Sequence, residues 1–429
     1  MKIFFDMVGC RLNQAEIEQM SREFRQEGHT IVATMDDADT VVVNTCSVTT
    51  QAASDSRQKI RRSGAHGKEV IVTGCWSTME PAKAMLIPGV IQVVSNDNKD
   101  DLVRSFLSQR SDRAKNAFDA EPIARAPLPG LRQRTRAFIK AQDGCDNNCT
   151  FCITTIARGK SISRPFTQIL ADIHSAENGG TKEIVLTGVH LGSWGQELNK
   201  PTHLTNLIEI ILKETSIPRI RLSSLEPWDL DETFLSLWQN PRLCKHLHLP
   251  LQAGSDATLR RMLRKTTTDS FRNLVSTARM IIPDIAITTD LICGFPGETD
   301  KEFEQSRLFV QEMAFSGGHV FSYSEREGTP AIRIKTKVPH PVRKERNAVL
   351  HEILKKSETT FFEENLSKTA LVLWEATNVR SENGWRMSGL SSNYIKVTAE
   401  APSYLWNQID EVRLDSIEKQ GMSGTILNR

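Results

Sequence analysis

AFIKAQDGCDNNCTFC, residues 137–152, joins a short apolar run to a loop that holds Cys145, Cys149 and Cys152. The run Ala137–Ala141 reads as a buried strand, and the loop follows it directly with the spacing C-x3-C-x2-C. Downstream, five more strand candidates recur: Glu183–Leu186, Arg219–Ser223, His246–Leu249, Ala286–Leu291 and His319–Tyr323. Helical patterns connect them at Thr167–Asn178, Leu204–Lys213, Leu230–Trp238, Asp269–Ile282 and Asp300–Met313. Six such units predict a partial (β/α) barrel, whose chemistry sits in the loops after the strands. The pairs Thr187-Gly188 and Ser223-Ser224 and the stretches Pro250–Gly254 and Gly294–Gly297 occupy four of those loops.

Upstream, strands Ile3–Phe5, Val41–Val43, Val70–Val72 and Val90–Val94 alternate with helices such as Ala15–Gln26 and Thr50–Arg62. This alternation predicts a parallel sheet covered by helices on both faces. Cys10, Cys46 and Cys75 each follow one of these strands by three to five residues. Strand ends of an open parallel sheet share one edge, so three cysteines far apart in sequence are expected together there. Residues 121–130, EPIARAPLPG, contain three prolines and read as an interdomain linker. After the basic run RIKTKVPHPVRKER (333–346) and a helical pattern over Asn347–Leu366, five short strands predict a small OB-like barrel. The expected fold class is therefore α/β with three domains: 1–120, 131–365 and 366–429.

The 429 residues suit two or three domains, and 39% hydrophobic with 25% charged residues is a globular composition. A net charge of +2 excludes a polybasic nucleic-acid binder, so any RNA surface is a local patch. The N-terminus, MKIFFDMVGC, lacks the apolar run of a signal peptide, and no stretch has the length of a membrane span. A cytoplasmic protein with no membrane partner is expected. Eight cysteines in a reducing compartment are then buried or metal-bound, not paired as disulfides.

Three thiols in eight positions pose a coordination question. Structural zinc takes four ligands, and no further Cys or His follows Cys152 within twenty residues. A three-ligand catalytic zinc and three unliganded cysteines remain open. A 4Fe–4S cube fits the donor set better, since three thiolates leave one iron for a substrate or cofactor. Phe151, just before the last cysteine, either packs against a bound aromatic ring or plugs the loop.

The loop resembles the signature of the radical S-adenosylmethionine (SAM) superfamily, C-x3-C-x-aromatic-C. The resemblance implies that SAM chelates the open iron and that one electron cleaves it to methionine and a 5′-deoxyadenosyl radical. The stretches VGCRLNQAE, VVNTCSVT and VTGCWS, with ARGKSISRP, LTGVHLG, RLSSLEPWD, HLHLPLQAGSD, TTDLICGFPGET and FSYSEREGTPA, resemble the methylthiotransferase family in order along nearly the whole chain. That resemblance implies a second, auxiliary 4Fe–4S cluster on Cys10, Cys46 and Cys75, whose open iron carries the sulfur to be inserted. One SAM donates a methyl to this sulfur and a second supplies the radical. The last domain looks like the TRAM module, a small RNA-binding barrel.

Family members act on adenosine 37 of tRNA bearing an isopentenyl or a threonylcarbamoyl group, or on an aspartate of a ribosomal protein. RLSSLEPWD and HVFSYSEREGTPA look most like the threonylcarbamoyladenosine group. The expected partners are the tRNA anticodon loop, a low-potential electron donor such as flavodoxin or ferredoxin, and a sulfur donor. A redox-sensing RNA-binding protein, whose clusters regulate affinity without catalysis, is the reading from another class.

Candidate SAM contacts are Phe151, Gly188, Ser224, Glu226, Gln252, Cys293, Gly294 and Phe295. Candidate substrate contacts are Arg158, Arg333, Lys335 and Lys337, with Arg132, Arg134 and Arg136 as further basic residues. Residues 366–429 carry seven Lys/Arg and seven Asp/Glu, which argues against strong backbone attraction by that domain alone. Cys244 and Cys293 read as core or loop cysteines, and His246 and His248 as packing residues. The chain departs from the family pattern at ITTIA (153–157), where many relatives carry a proline, and at Trp76 after Cys75, where smaller residues are common; both are placed to reshape the substrate pocket without touching a proposed iron ligand.

Overall fold

The computed structural model describes residues 1–108, 135–377, 379–381 and 384–427. The linker at 121–130 and the basic residues Arg132 and Arg134 lie outside the described residues. Contacts divide the chain into two compact units. One comprises residues 1–147, 152–180 and 187–189, the other 148–151, 181–186 and 190–429.

The first unit is built on β1 (Lys2–Met7), α1 (Arg11–Gln26), β2 (Thr30–Ile31), β3 (Thr40–Thr45), α2 (Thr50–Ala65), β4 (Glu69–Gly74), α3 (Cys75–Met79), α4 (Pro81–Met85), β5 (Val90–Val94) and α5 (Leu102–Ser108). The strands form one parallel sheet in the order β2-β1-β3-β4-β5. Central β3, TVVVNT, is buried at all six positions, as a strand covered on both faces must be. Its alternate side chains feed two cores. Val42 joins Ile3, Phe5, Ile17, Phe24 and Ile71 on one face, while Val41 and Val43 join Ala53, Ile60, Val70 and Val72 on the other. Trp76 is 5% exposed and packs within the second core.

The same unit continues with β6 (Arg136–Lys140), the pair β7 (Gln142–Asp143) and β8 (Ile162–Ser163), the short α6 (Thr154–Arg158) and α7 (Phe166–Asn178).

The second unit contains β9 (Glu183–Thr187), α8 (Leu204–Glu214), β10 (Arg219–Leu222), α9 (Glu232–Ser236), β11 (His246–His248), α10 (Asp256–Arg261), α11 (Thr268–Ile281), β12 (Ala286–Cys293), α12 (Asp300–Met313), β13 (Gly317–Ser322) and α13 (His340–Glu364). β9 pairs with β10, β11 with β12 and β12 with β13, all parallel. Parallel bridges Ile220–Leu243 and Ser224–His248 join β10 to the β11 segment, so five strands stand in one parallel row.

The chain ends in β14 (Thr369–Glu375), β15 (Arg380–Ser381), β16 (Gly384–Ser391), β17 (Lys396–Ala401), β18 (Ile409–Glu418) and β19 (Gly421–Ile426). These are ordered β14-β18-β19-β17-β16-β15, and a further β14–β16 pairing closes the barrel, removing its sheet edges. Val372, Trp374, Met387, Val397, Val412, Leu414 and Met422 fill it, with Phe362 of α13.

The closed barrel docks at the amino ends of the parallel row. There Glu183, Arg219 and Arg221 have side chains 0%, 6% and 0% exposed. Glu183 Oε1 accepts from Arg221 Nε at 2.8 Å, and Glu183 Oε2 lies 2.9 Å from Arg219 Nη2. Further guanidinium hydrogens, on the Nη atoms, go to the barrel backbone. Arg219 donates to the carbonyls of Leu371 and Leu390, and Arg221 to those of Ser391 and Ser392. Tyr394 stacks on His246, ring centroids 4.1 Å apart and 7° from parallel.

The basic run 333–346 is only partly solvated. α13 begins inside it at His340, and Arg346 is buried against Glu298 and Asp300 at 2.7 and 2.6 Å. Arg343 donates to the carbonyls of Val338 and Tyr323. Arg333, Lys335 and Lys337 remain exposed, with Lys337 paired to Glu325.

Candidate metal and cofactor centre

Cys10, Cys46 and Cys75 follow β1, β3 and β4, which are neighbours in the sheet. Adjacent strands are about 4.8 Å apart, so three consecutive strand ends span about 10 Å. Cys10 caps α1, and Cys75 opens α3 after Gly74, whose φ of +100° favours glycine. Gly9, at φ +126°, leaves room for Cys46: a Cβ there would lie 2.9 Å from Cys46 Cβ and 3.1 Å from its sulfur. Cys10 is exposed, whereas Cys46 and Cys75 are buried.

Burial, aided by repulsion from Cys10 and Cys75, pushes the Cys46 thiol up to about 11. A cation set among three thiols favours their thiolate form, and a polynuclear iron centre is such a cation, so the donor set fits a cluster. Among the described residues, no three His, Cys, Asp or Glu side chains are gathered as for a single metal ion.

A buried ion network lies against this trio, and its members escaped the sequence reading except for Arg158. Arg158, expected at the substrate, is instead 2% exposed at the side chain. Its Nη1 donates to Glu16 Oε1 at 2.8 Å and Asp143 Oδ1 at 2.9 Å, and its Nη2 to Asn13 Oδ1 at 2.9 Å. Lys99 Nζ reaches Glu16 Oε2 at 2.8 Å, and Lys140 Nζ reaches Asp143 Oδ2 at 2.9 Å. Burial alone would raise the Glu16 carboxyl, but Arg158, Lys99 and Lys140 outweigh it and hold Glu16 well below the usual range. Asn13 and Glu16 stand in the quoted stretch VGCRLNQAE; nothing in the stretch around Lys99 marked it out.

The loop of Cys145, Cys149 and Cys152 is held within each unit by that unit's own hydrogen bonds. In the first unit Gly144 has φ +66°, and a Cβ on it would sit 1.8 Å from the Lys160 carbonyl oxygen. Buried Gln142 donates through Nε2 to the carbonyl of Gly144 and to Ser161 Oγ, and Cys145 N donates to the Gly159 carbonyl. In the second unit Thr150 donates from N and Oγ1 to the carbonyls of Met262 and Arg261. Arg264 Nη1 lies 3.7 Å from Cys149 Sγ, and its fork is held by Glu226 and by the Pro250 carbonyl. Arg264 also lies over the Trp228 ring at 4.6 Å. Glu226, expected to contact SAM, is thus engaged with Arg264.

The other predicted residues divide by exposure. Gly188, Ser224 and Gln252 are partly exposed at strand ends, Gln252 with φ +73°. Cys293, Gly294 and Phe295 are buried. Phe295 sits edge-on to Phe151 and Tyr323, with centroids 6.5 and 5.3 Å apart. Burial pushes the Cys293 thiol up to about 11, and the sulfur faces the carbonyls of Phe321 and Arg343. Cys244 is buried beside Glu183. His248 lies against Asp290 and Thr288, and His246 against Thr288. Sequence reasoning also missed the pair His190–Asp229, joined at 2.6 Å in the loops after β9 and β10.

Residues 2–95 match the family described as "Uncharacterized protein family UPF0004", and residues 139–310 the Radical SAM superfamily. The chain is similar to the threonylcarbamoyladenosine tRNA methylthiotransferase MtaB of Bacillus subtilis, 33% identical over 96% of this chain and 93% of the relative. It is 34% identical to the protein of the same name in Thermotoga maritima, over 96% and 94%. Among solved structures, the radical S-adenosylmethionine methyltransferase TsrM of Kitasatospora setae shares the fold. Its TM-score is 0.57 at 14% identity, over 77% of this chain and 76% of that one. The fold class is α/β, with a parallel-sheet N-terminal part, a radical SAM fold and a closed C-terminal barrel. Similarity of this degree along nearly the whole of both relatives makes the chain a member of the radical SAM methylthiotransferase family.

Proposed function

We propose that this protein converts N6-threonylcarbamoyladenosine at tRNA position 37 to its 2-methylthio derivative. Two 4Fe–4S clusters and SAM, when bound, supply the low-potential electron, the 5′-deoxyadenosyl radical and the methylated sulfur. Cys145, Cys149 and Cys152 hold the SAM-binding cluster, and Cys10, Cys46 and Cys75 the auxiliary one. The observation that carries this reading is the short reach between the two cysteine sets. α6 follows Cys152 by two residues and ends at Arg158, whose partner Asn13 also accepts from Cys10 Sγ at 3.7 Å. Six residues, about 9 Å of helix, thus separate one set from the surroundings of the other.

Within the site each side chain has a positional task. Arg264, fixed by Glu226, holds a cation beside Cys149. Gly188, Ser224 and Gln252, partly exposed at strand ends, and Phe151, Cys293, Gly294 and Phe295 are the residues we assign to SAM contact. A flavodoxin- or ferredoxin-like donor supplies electrons, and a separate sulfur donor recharges the auxiliary site. We infer three domains, 1–120, 131–365 and 366–429, and a cytoplasmic location, where tRNA is found.

The C-terminal barrel carries an aromatic step suited to unpaired bases. Trp385 and Tyr404 have centroids 4.8 Å apart, and Arg380 lies 4.6 Å over Trp385. Stacking contributes about 1–3 kcal/mol per base. Trp385→Ala with Tyr404→Ala therefore weakens tRNA binding by about tenfold or more in filter-binding titrations, with SAM cleavage in the absence of tRNA unchanged. Exposed Arg333, Lys335 and Lys337 add backbone contacts.

Mass analysis of tRNA nucleosides tests the reaction. A strain lacking the gene is expected to lose the 2-methylthio derivative and accumulate its threonylcarbamoyl precursor, with restoration by the intact gene. Loss of the isopentenyl derivative instead, or an unmodified ribosomal-protein aspartate with normal tRNA, overturns the substrate assignment.

A further inference from the structure

We propose that Arg158, held by Glu16 and joined by Lys99, is a positioning residue that sets the reduction potential of the auxiliary site. The proposal rests on the reading that Cys10, Cys46 and Cys75 hold a cluster. The geometry begins with two asparagines. Asn13 Oδ1 accepts from Arg158 Nη2 at 2.9 Å and from Cys10 Sγ at 3.7 Å. Asn96 Nδ2 donates to Cys75 Sγ at 3.7 Å and to the carbonyl of Ala157, next to Arg158, at 2.7 Å. Lys99 follows Asn96 by three residues and meets the same Glu16 carboxylate as Arg158.

The charges of this network do not cancel. Arg158, Lys99 and Lys140 bring three cations, and Glu16 and Asp143 two anions. Three minus two leaves one positive charge in a group whose side chains are 2–19% exposed. Asp100, 3.5 Å from Lys140 and 67% exposed, is a third anion that water screens, so it offsets this charge only in part. A buried charge with an incomplete counterion is costly, and the negative charge of a thiolate-bound cluster would complete it. Reduction adds one more negative charge at that place. The excess cation therefore favours the reduced state, and each network charge contributes with its own sign.

The test uses full-length protein with Cys145, Cys149 and Cys152 changed to Ala, so that only the auxiliary cluster remains. Anaerobically reconstituted protein is expected to hold about four irons per chain. Its midpoint potential is followed by electron paramagnetic resonance during a dye-mediated titration. Arg158→Gln and Lys99→Met each shift the midpoint to more negative potential. Glu16→Gln shifts it to more positive potential. Sorting by charge sign is what a purely structural role would not produce. Shifts that share one sign, or an unmoved midpoint in iron-replete variants, overturn the proposal. Iron-free parent protein overturns the cluster assignment beneath it. If Arg158→Gln loses iron, Glu16→Gln and Lys99→Met still decide the matter by their opposed signs.

Discussion

Replacing Cys149 by alanine abolishes SAM cleavage, whereas replacing Cys46 spares cleavage and abolishes sulfur insertion. Each cluster has three protein thiolates in this assignment, and removing one leaves two irons without a protein ligand. Cys149 faces Arg264, which Glu226 and the Pro250 carbonyl fix in place. Cys46 stands at the end of β3, on the edge of a different sheet, with Gly9 folded against it. The two sets of ligands stand on separate elements, and neither Cys149→Ala nor Cys46→Ala touches the Arg158 network. The measurement is anaerobic incubation with SAM, dithionite and tRNA, with 5′-deoxyadenosine and methylthiolated nucleoside quantified together. Cys149→Ala gives neither product, and Cys46→Ala gives 5′-deoxyadenosine alone. Equal loss of 5′-deoxyadenosine in both variants refutes the division of labour, and its absence from the unmutated protein supports the redox-sensor reading.

The second large effect is on stability. Glu183→Gln leaves Arg219 and Arg221 buried with carbonyl partners but no carboxylate. Removing one member of a buried ion group costs about 3–5 kcal/mol, because the charges left behind stay desolvated. The hydrogen bonds of a glutamine recover only part of that. Urea unfolding is expected to show a lower midpoint, and a free-energy loss of this size, for the transition that includes the C-terminal barrel. Limited proteolysis is expected to cut near Leu366, between α13 and β14, earlier than in the parent. An unchanged midpoint would mean that the docking does not depend on this ion group.

The architecture was legible where a single element decides it. Strands such as TVVVNT and VIVTG announce a covered parallel sheet by their unbroken β-branched runs, and the cysteines that follow them inherit their place from the sheet edge. The long helix before the C-terminal barrel starts at His340, seven residues ahead of the helical pattern at Asn347. Its start, HPVRKER, has the composition of a solvated run, yet Arg346 turns inward to Glu298 and Asp300. The same limit applied to Arg158 and Glu226. A charged residue beside a motif carries no mark of whether its partner is a ligand or a distant carboxylate. Lys99 lies 83 positions from Glu16 and Arg158 lies 142, separations that no local pattern encodes.

The docking of the closed barrel through Arg219 and Arg221 also bears on which RNAs qualify. Those arginines sit at the amino end of β10, while Glu226 and Arg264 stand beyond its carboxyl end. The row is four to five residues tall, about 15 Å. On the proposed reading, a polynucleotide held by the barrel at Trp385 and Tyr404 has to span at least the height of that row to bring its reactive base to the far end. Molecules too short to bridge that interval, such as a free nucleoside, forfeit one of the two handholds whatever their chemistry.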